Sequence, residues 1–297
     1  MAGQQGVGRR AFLRTATAAT AATAAVAAGV WPAVAAADEV ADRARGRRIP
    51  RTWIGQQWFM IRTALNQDFE GTWAAVADLG ITKVELGPSL FGRTPAELRD
   101  LFDSLGLRVV SRMLSLPIIR TGFDTALEES RALGVRYLRC NVLPEADRRS
   151  LAALRQVARD FNVAGEAARD AGFVFGHHNH DMEFRPVEGV TPMEVLLSDT
   201  DPRLVDLQLD VYWAQFAGVD VVEFMTTNAK RIGTLHLKDM VSGGAQTDIG
   251  SGIIDWPAIF DAARRLGVRN YIFDLDNPPD PMASVKASYE YLTALRF

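Results

Sequence analysis

The sequence predicts one α/β domain, a closed (β/α)8 TIM barrel, and three observations carry that prediction. Eight short apolar runs alternate with amphipathic stretches from Arg51 to the C-terminus, the rhythm of strands and crossover helices. Four of those stretches end in a Leu-Gly pair, at 79–80, 105–106, 133–134 and 266–267, where glycine accepts the left-handed conformation that closes a helix. No Pro/Gly-rich linker divides the chain, and no G-x-G-x-x-G follows the first run, which disfavours an open dinucleotide-binding sheet.

In chain order, strands are expected near 53–58 (WIGQQW), 81–86 (ITKVEL), 107–111 (LRVVS) and 135–140 (VRYLRC). Four more are expected near 172–178 (GFVFGHH), 204–210 (LVDLQLD), 231–238 (RIGTLHLK) and 269–275 (RNYIFDL). Between them lie helices at 68–79, 94–104, 121–133, 146–170, 191–198, 218–229, 255–266 and 281–295. Thr94-Pro95 and Asp255-Trp256-Pro257 mark helix starts, each pairing a capping side chain with an early proline.

The front of the chain is of another kind. GRRAFLR at 8–14 precedes a long run of Ala, Thr and Val that holds no acid and ends in AVAAADE. A basic start, an apolar stretch and small residues describe an export signal, and Arg9-Arg10 followed by Phe12-Leu13 resembles the twin-arginine type. Residues 1–37 are therefore expected to be a cleaved signal and 38–51, with ADRARGRRIPR, a solvated basic lead-in. The barrel is expected over 52–297, in an extracellular or periplasmic protein.

The formal charge of the chain is -3, and the three arginines before Ala37 leave the remainder near -6, no basic field for nucleic acid. Cys140 is the single cysteine, which rules out an intrachain disulfide or a cysteine zinc site. No segment beyond the signal has the length and polarity of a membrane span.

Barrel enzymes place their chemistry at the C-terminal ends of strands. Glu85 falls near the end of the second strand, His178 and His180 at the end of the fifth, and Asp210 at the end of the sixth. His236 and Lys238 end the seventh strand, Asp274 and Asp276 the eighth. Three of the four histidines crowd into GHHNHDMEF. The two-residue strand period sets His178 with His180 on one side and His177 with Asn179 on the other. Each residue alone has a plainer reading, Asp210 as a helix cap and His236 as a core histidine. Together, imidazoles and carboxylates from different strands can supply the N and O ligands of Mn, Zn, Fe or Mg.

The chain resembles the xylose-isomerase-like barrels, the sugar phosphate isomerase and epimerase family, over roughly residues 52–296. IGQQW, GITKVELG, HNHDMEF, LDVYW, RIGTLHLKDM, DIGSGIIDW and FDLDNP carry the resemblance in order. It implies a divalent metal held by His178, where many relatives carry Glu, and by Asp210, His236 and Asp274, where the usual residue is Glu. The shorter Asp274 either shifts the metal or leaves a position for water. Trp213 stands where a histidine is frequent, which weakens any likeness to the histidine-rich endonucleases of the superfamily and offers a stacking wall for a sugar ring.

The chemistry implied is proton abstraction beside the carbonyl of a small sugar or polyol, by an isomerase or epimerase. The alternatives are a lyase or dehydratase, or cleavage of oxidised glycosides, or an exported protein that binds carbohydrate without turnover. His178, Glu85, Lys238 and Asp274 are the candidate catalytic groups, and His180, Glu183, Trp213, Trp58 and Asp276 the candidate substrate contacts. Lys238 either stabilises an oxyanion or bridges to Asp239 or Asp276. Glu183 either orients a histidine or holds hydroxyls, and Glu85 either serves from the far side of the mouth or fixes a turn. SGGAQTDIGSG at 242–252 is either a nest of N–H groups for phosphate or a mobile loop.

Overall fold

The computed structural model describes residues 46–297, so the expected signal at 1–37 and most of the lead-in lie outside the described residues. The barrel unit runs from Arg48 to Phe297. Its strands are β1 (Ile54–Gln57), β2 (Lys83–Leu86), β3 (Arg108–Leu114), β4 (Tyr137–Cys140), β5 (Val174–His178), β6 (Val205–Asp210) and β7 (Ile232–Leu237). A two-stranded hairpin of β8 (Asp239–Met240) and β9 (Gln246–Thr247) follows, and β10 (Tyr271–Phe273) completes the ring. The closed order is β1-β10-β7-β6-β5-β4-β3-β2, and every pairing in the ring is parallel.

All eight predicted runs became barrel strands, with different ends. β3 continues three residues past Ser111, because Met113 and Leu114 still pair with Arg139 and Cys140. β10 stops at Phe273, yet the Asp274 N–H donates to the Leu237 carbonyl at 2.9 Å and so stays aligned with β7.

The helices pack apolar faces on the ring. Phe161 of the helix Leu151–Asp170 meets Phe175 of β5 edge-on at 5.4 Å, and Trp73 of Phe69–Asp78 meets Phe102 of Pro95–Ser104 at 5.2 Å. Thr94 caps its helix as expected and does so in a capping box with Glu97, and the Asp255 side chain caps Trp256–Arg265. The single helix expected over 146–170 is two, Glu145–Arg148 and Leu151–Asp170, because the Ser150 side chain caps the second. Short helices Arg62–Gln67, Leu116–Thr121 and Val211–Phe216 were not foreseen; one of six residues shows too little periodicity to read. Among the described residues no helix is long and apolar enough to cross a membrane.

An ion pair between a buried arginine and a half-buried aspartate joins two strands of the barrel. Arg139 of β4 reaches Asp206 of β6, and its Nη2 also donates to Thr234 Oγ1 at 3.3 Å. Gly176 of β5 lies in register between them, and a Cβ there or at Gly233 of β7 would overlap the pair. These strand glycines make room for the guanidinium, a close approach of the kind that favours glycine inside a strand.

The glycine-rich segment after β7 contains strand β9 and ends against a carboxylate of the chain itself. It folds about the buried Asp239 carboxylate, which accepts from the N–H groups of Met240 (2.7 Å), Gly250 (2.9 Å), Gly252 (3.3 Å) and Ile254 (3.3 Å). The Trp256 indole donates to it at 2.8 Å as well. The anion that these groups surround is the chain's own.

Candidate metal centre

Three of the four expected ligands converge at the C-terminal mouth. One ligand atom from each of His178, Asp210 and His236 lies within 4.8 Å of the others, and all three side chains are buried. They reach this place because β5, β6 and β7 are neighbours and Asp210 is in register with His236.

Each ligand is held by a separate local device. The Asp210 Oδ1 accepts from the Trp213 N–H at 3.0 Å and caps the helix Val211–Phe216, so the cap reading is correct but covers one oxygen. Oδ2 is buried with no hydrogen-bond partner in the protein. Asn179 grips the Asp210 backbone, accepting from its N–H at 2.9 Å and donating to its carbonyl at 3.3 Å. His236 gives Nε2 to the Glu85 Oε1 at 2.7 Å, leaving Nδ1 without a hydrogen bond, and Glu85 Oε2 accepts from the Gln208 amide at 2.8 Å. The His178 Nδ1 is likewise unpartnered. Buried polar atoms that lack partners are rare, and two imidazole nitrogens and a carboxylate oxygen in one cluster suit a divalent cation. The triad can hold such an ion, with its identity open among Mn, Zn, Fe and Mg.

The protonation states suit the same reading. Burial lowers the His178 imidazole well below its ordinary value, and the neighbouring His236, His180 and Lys238 push the same way. Burial also lowers His180, with Glu183 and Asp210 opposing. For His236 burial is outweighed by the Glu85 carboxylate, which attracts the charged ring and accepts from it, and by the nearby Asp210 and Asp274 carboxylates, which together push it up to about 9. Glu85 itself is held below the usual carboxylate range, as His236, Ser111 and Gln208 overcome its burial.

Several expected roles change. Glu85 is fully buried beneath the triad and orients His236; it is not a carboxylate open to substrate across the mouth. Glu183 is fully buried too, its Oε1 3.2 Å from His177 Nε2 and its Oε2 accepting from the His180 N–H at 2.7 Å. It folds the turn that carries His180 and has no exposed atom to offer hydroxyls. Asp274 stands outside the triad, with Oδ2 2.9 Å from Lys238 Nζ. Lys238 bridges Asp276 at 2.8 Å and not Asp239, whose carboxylate is used by its own loop. Asp276 also accepts from Gln246.

The remaining mouth residues sort by position. His180 lies 4.9 Å from His178 and 5.5 Å from Trp213, ring centre to ring centre, and Lys238 Nζ is 5.5 Å from the Trp213 ring centre. Trp58 packs edge-on with Phe59 and Phe91 at 5.5 Å, at the end of β1, three strands round the ring from β6. Asn179 and Gln208 were missed by sequence reasoning. Their signal is a polar side chain at the end of, or inside, an otherwise apolar strand run.

A closed barrel with a buried His-Asp-His cluster at the C-terminal ends of its strands is of the metalloenzyme class. A family model described as "Xylose isomerase-like TIM barrel" matches residues 73–295, and the chain belongs to that family. An inosose dehydratase of Geobacillus kaustophilus is 24% identical over 264 residues, 74% of this chain and 85% of that protein. Another, of Geobacillus thermodenitrificans, is 25% identical over 153 residues, and the match spans half of its length (50%) and 46% of this chain. The solved structure of a sugar phosphate isomerase/epimerase from Parabacteroides distasonis is similar with TM-score 0.72 and 27% identity, covering 81% of this chain and 93% of that one.

Proposed function

We propose that the protein is a divalent-metal-dependent isomerase or epimerase acting on a sugar or polyol by moving a proton next to a carbonyl. The observation that carries this reading is the buried His178-Asp210-His236 cluster with its unpartnered atoms beside the neutral His180. A metal bound there would supply Lewis-acid polarisation of a carbonyl oxygen. His180, uncharged and next to Trp213, is the group placed to accept a proton from carbon. Trp213 offers a ring face, and its indole N–H has no acceptor in the protein and is free for a substrate hydroxyl. Glu85, Asn179 and Glu183 position the groups that react. The solved isomerase/epimerase structure from Parabacteroides distasonis supports this reading at 27% identity.

Elimination begins with the same proton removal, and the two inosose dehydratases favour it as the second reading. Incubating keto-sugars, inososes and oxidised glycosides in deuterated water with metal restored separates the two. An isomerase or epimerase returns sugar deuterated beside the carbonyl, whereas a lyase or dehydratase releases an unsaturated product or an aglycone. Turnover that persists after chelation, or in His180→Ala, rejects both. Binding across the panel without exchange or cleavage favours a carbohydrate-binding barrel.

Export rests on the sequence alone. We propose that Arg9 and Arg10 direct the protein through a twin-arginine route, so the sugar would be met outside the cytoplasm. Replacing both by lysine is expected to leave precursor inside the cell, and N-terminal sequencing of exported wild type to begin near residues 34–39. Secretion of the double variant at the wild-type level would remove this route.

A further inference from the structure

We propose that the substrate carries a second, neutral sugar ring, bound in a cavity beside the metal centre. The protein then acts on a keto-disaccharide rather than on a free or phosphorylated monosaccharide. The inference rests on the proposed function above and adds the class of substrate. The cavity measures about 540 Å³, and Tyr212, Gln246, Thr247, Asp276, Asn277 and Ser284 are among the residues that line it. Ligand pockets typically span about 300 to 1,000 Å³. Tyr212 follows β6, Gln246 and Thr247 form β9, and Asp276 and Asn277 follow β10. The cavity therefore lies at the same end of the barrel as the metal ligands. One ammonium joins the two, since Lys238 Nζ is 2.8 Å from Asp276 Oδ1 on the cavity wall and 3.6 Å from Asp210 Oδ2 in the metal cluster.

The walls are fixed by bonds of their own. Gln246 accepts from the Asp276 N–H at 3.0 Å and its amide donates to the Asp276 carboxylate, which ties the hairpin to the chain after β10. The Tyr212 hydroxyl donates to the Gly244 carbonyl at 2.8 Å, and Phe216 stacks on its ring with planes 22° apart. Arg62 donates from Nη1 to the Asp276 carbonyl at 2.6 Å and from Nη2 to Asn277 Oδ1. Walls held in place before binding lower the cost of ordering a ligand. Their chemistry selects the occupant. Amide, hydroxyl and carboxylate groups can give and accept hydrogen bonds with sugar hydroxyls, and Pro278 and Pro279 add apolar faces. No lysine or arginine is among the lining residues, and Asp248 and Asp276 are. Phosphate is held by cationic side chains or backbone N–H groups and repelled by carboxylates, so a neutral polyhydroxylated ring fits where a phosphate does not.

The test titrates the full chain, loaded with Mn(II), with fructose, fructose 6-phosphate and the keto-disaccharides lactulose, maltulose and isomaltulose, with affinities from calorimetry. At least one disaccharide is expected to bind at least about tenfold tighter than fructose, because the second ring adds contacts remote from the metal. Fructose 6-phosphate should bind no tighter than fructose. Thr247→Trp crowds the cavity and is expected to bring the ratio of disaccharide to fructose affinity down to within about threefold of one. Should that variant not fold, Asn277→Ala reads the same ratio, expected to fall about threefold. Equal affinity for fructose and all the disaccharides overturns the proposal, as does tightest binding of fructose 6-phosphate. A preference that the cavity variant leaves intact overturns it too. Deuterium exchange of the same sugars separates the two levels. Exchange into fructose with no gain from a second ring sinks this inference alone, whereas exchange into none of the sugars sinks it together with the proposed function.

Discussion

His236→Ala loses at least about a hundredfold in divalent-metal affinity, more than the 10–100-fold typical of changes to the residues behind a ligand. The same change removes the partner of a fully buried carboxylate, because Glu85 Oε1 lies 2.7 Å from His236 Nε2 and neither side chain is more than 1% exposed. Breaking a buried pair on one side costs about 3–5 kcal/mol. Metal-free His236→Ala should therefore melt lower by roughly 6–20 °C for a domain of this size, with far-UV circular dichroism unchanged below the transition. Adding Glu85→Gln to His236→Ala removes the stranded charge and should recover most of the melting temperature but none of the metal affinity. Thermal scans and calorimetric titration of the two variants read these effects separately. Equal metal binding by wild type and His236→Ala would exclude His236 as a ligand.

Raising the pH from 7 to 9 should tighten metal binding by wild type by up to about a hundredfold, and Glu85→Gln should abolish most of that gain. Glu85 pushes the His236 imidazole up to about 9, so at neutral pH the metal-free ring carries a second proton on Nδ1. A metal ligand must be deprotonated at the coordinating atom, so binding releases that proton. One released proton corresponds to about tenfold in affinity per pH unit below the raised value. His178 contributes nothing to this slope, since it is already neutral. With glutamine at 85, His236 returns towards its ordinary 6.5 and the slope flattens above that pH. Calorimetry in buffers of different ionisation enthalpy counts the proton directly: close to one per metal at pH 7.5 for wild type, close to none for Glu85→Gln. The sign is opposite for folding without metal. A raised histidine contributes stability that is complete below 6.5 and lost as the pH climbs through about 9.

Both predictions depend on Glu85, whose role was not readable from the chain. Glu85 and His236 are 151 residues apart, and sequence spacing carries no distance between strands that face each other across a ring. The same holds for Gln208 under Glu85 and for Asn179 on the Asp210 backbone. It holds also for Arg139 with Asp206, for which glycines of β5 and β7 make room. At Asp239 the sequence is silent because a glycine-rich segment looks the same whether its N–H groups face a ligand or a carboxylate of their own chain.

What the sequence determined by itself was the barrel and the end of it that reacts. Strand and helix periods are local, short loops leave few ways to connect them, and a side-chain period of two assigns each strand-end residue to a face. Those rules were enough to place His178, Asp210 and His236 at one mouth, and the structure gathers them within 4.8 Å. The tertiary structure decided which groups hold each other there: Glu85 behind His236, Glu183 under the His180 turn, Lys238 on Asp274. A charge taken out of water must find its partner among whatever side chains closure of the ring brings within about 4 Å, and that choice exists only once the barrel is closed.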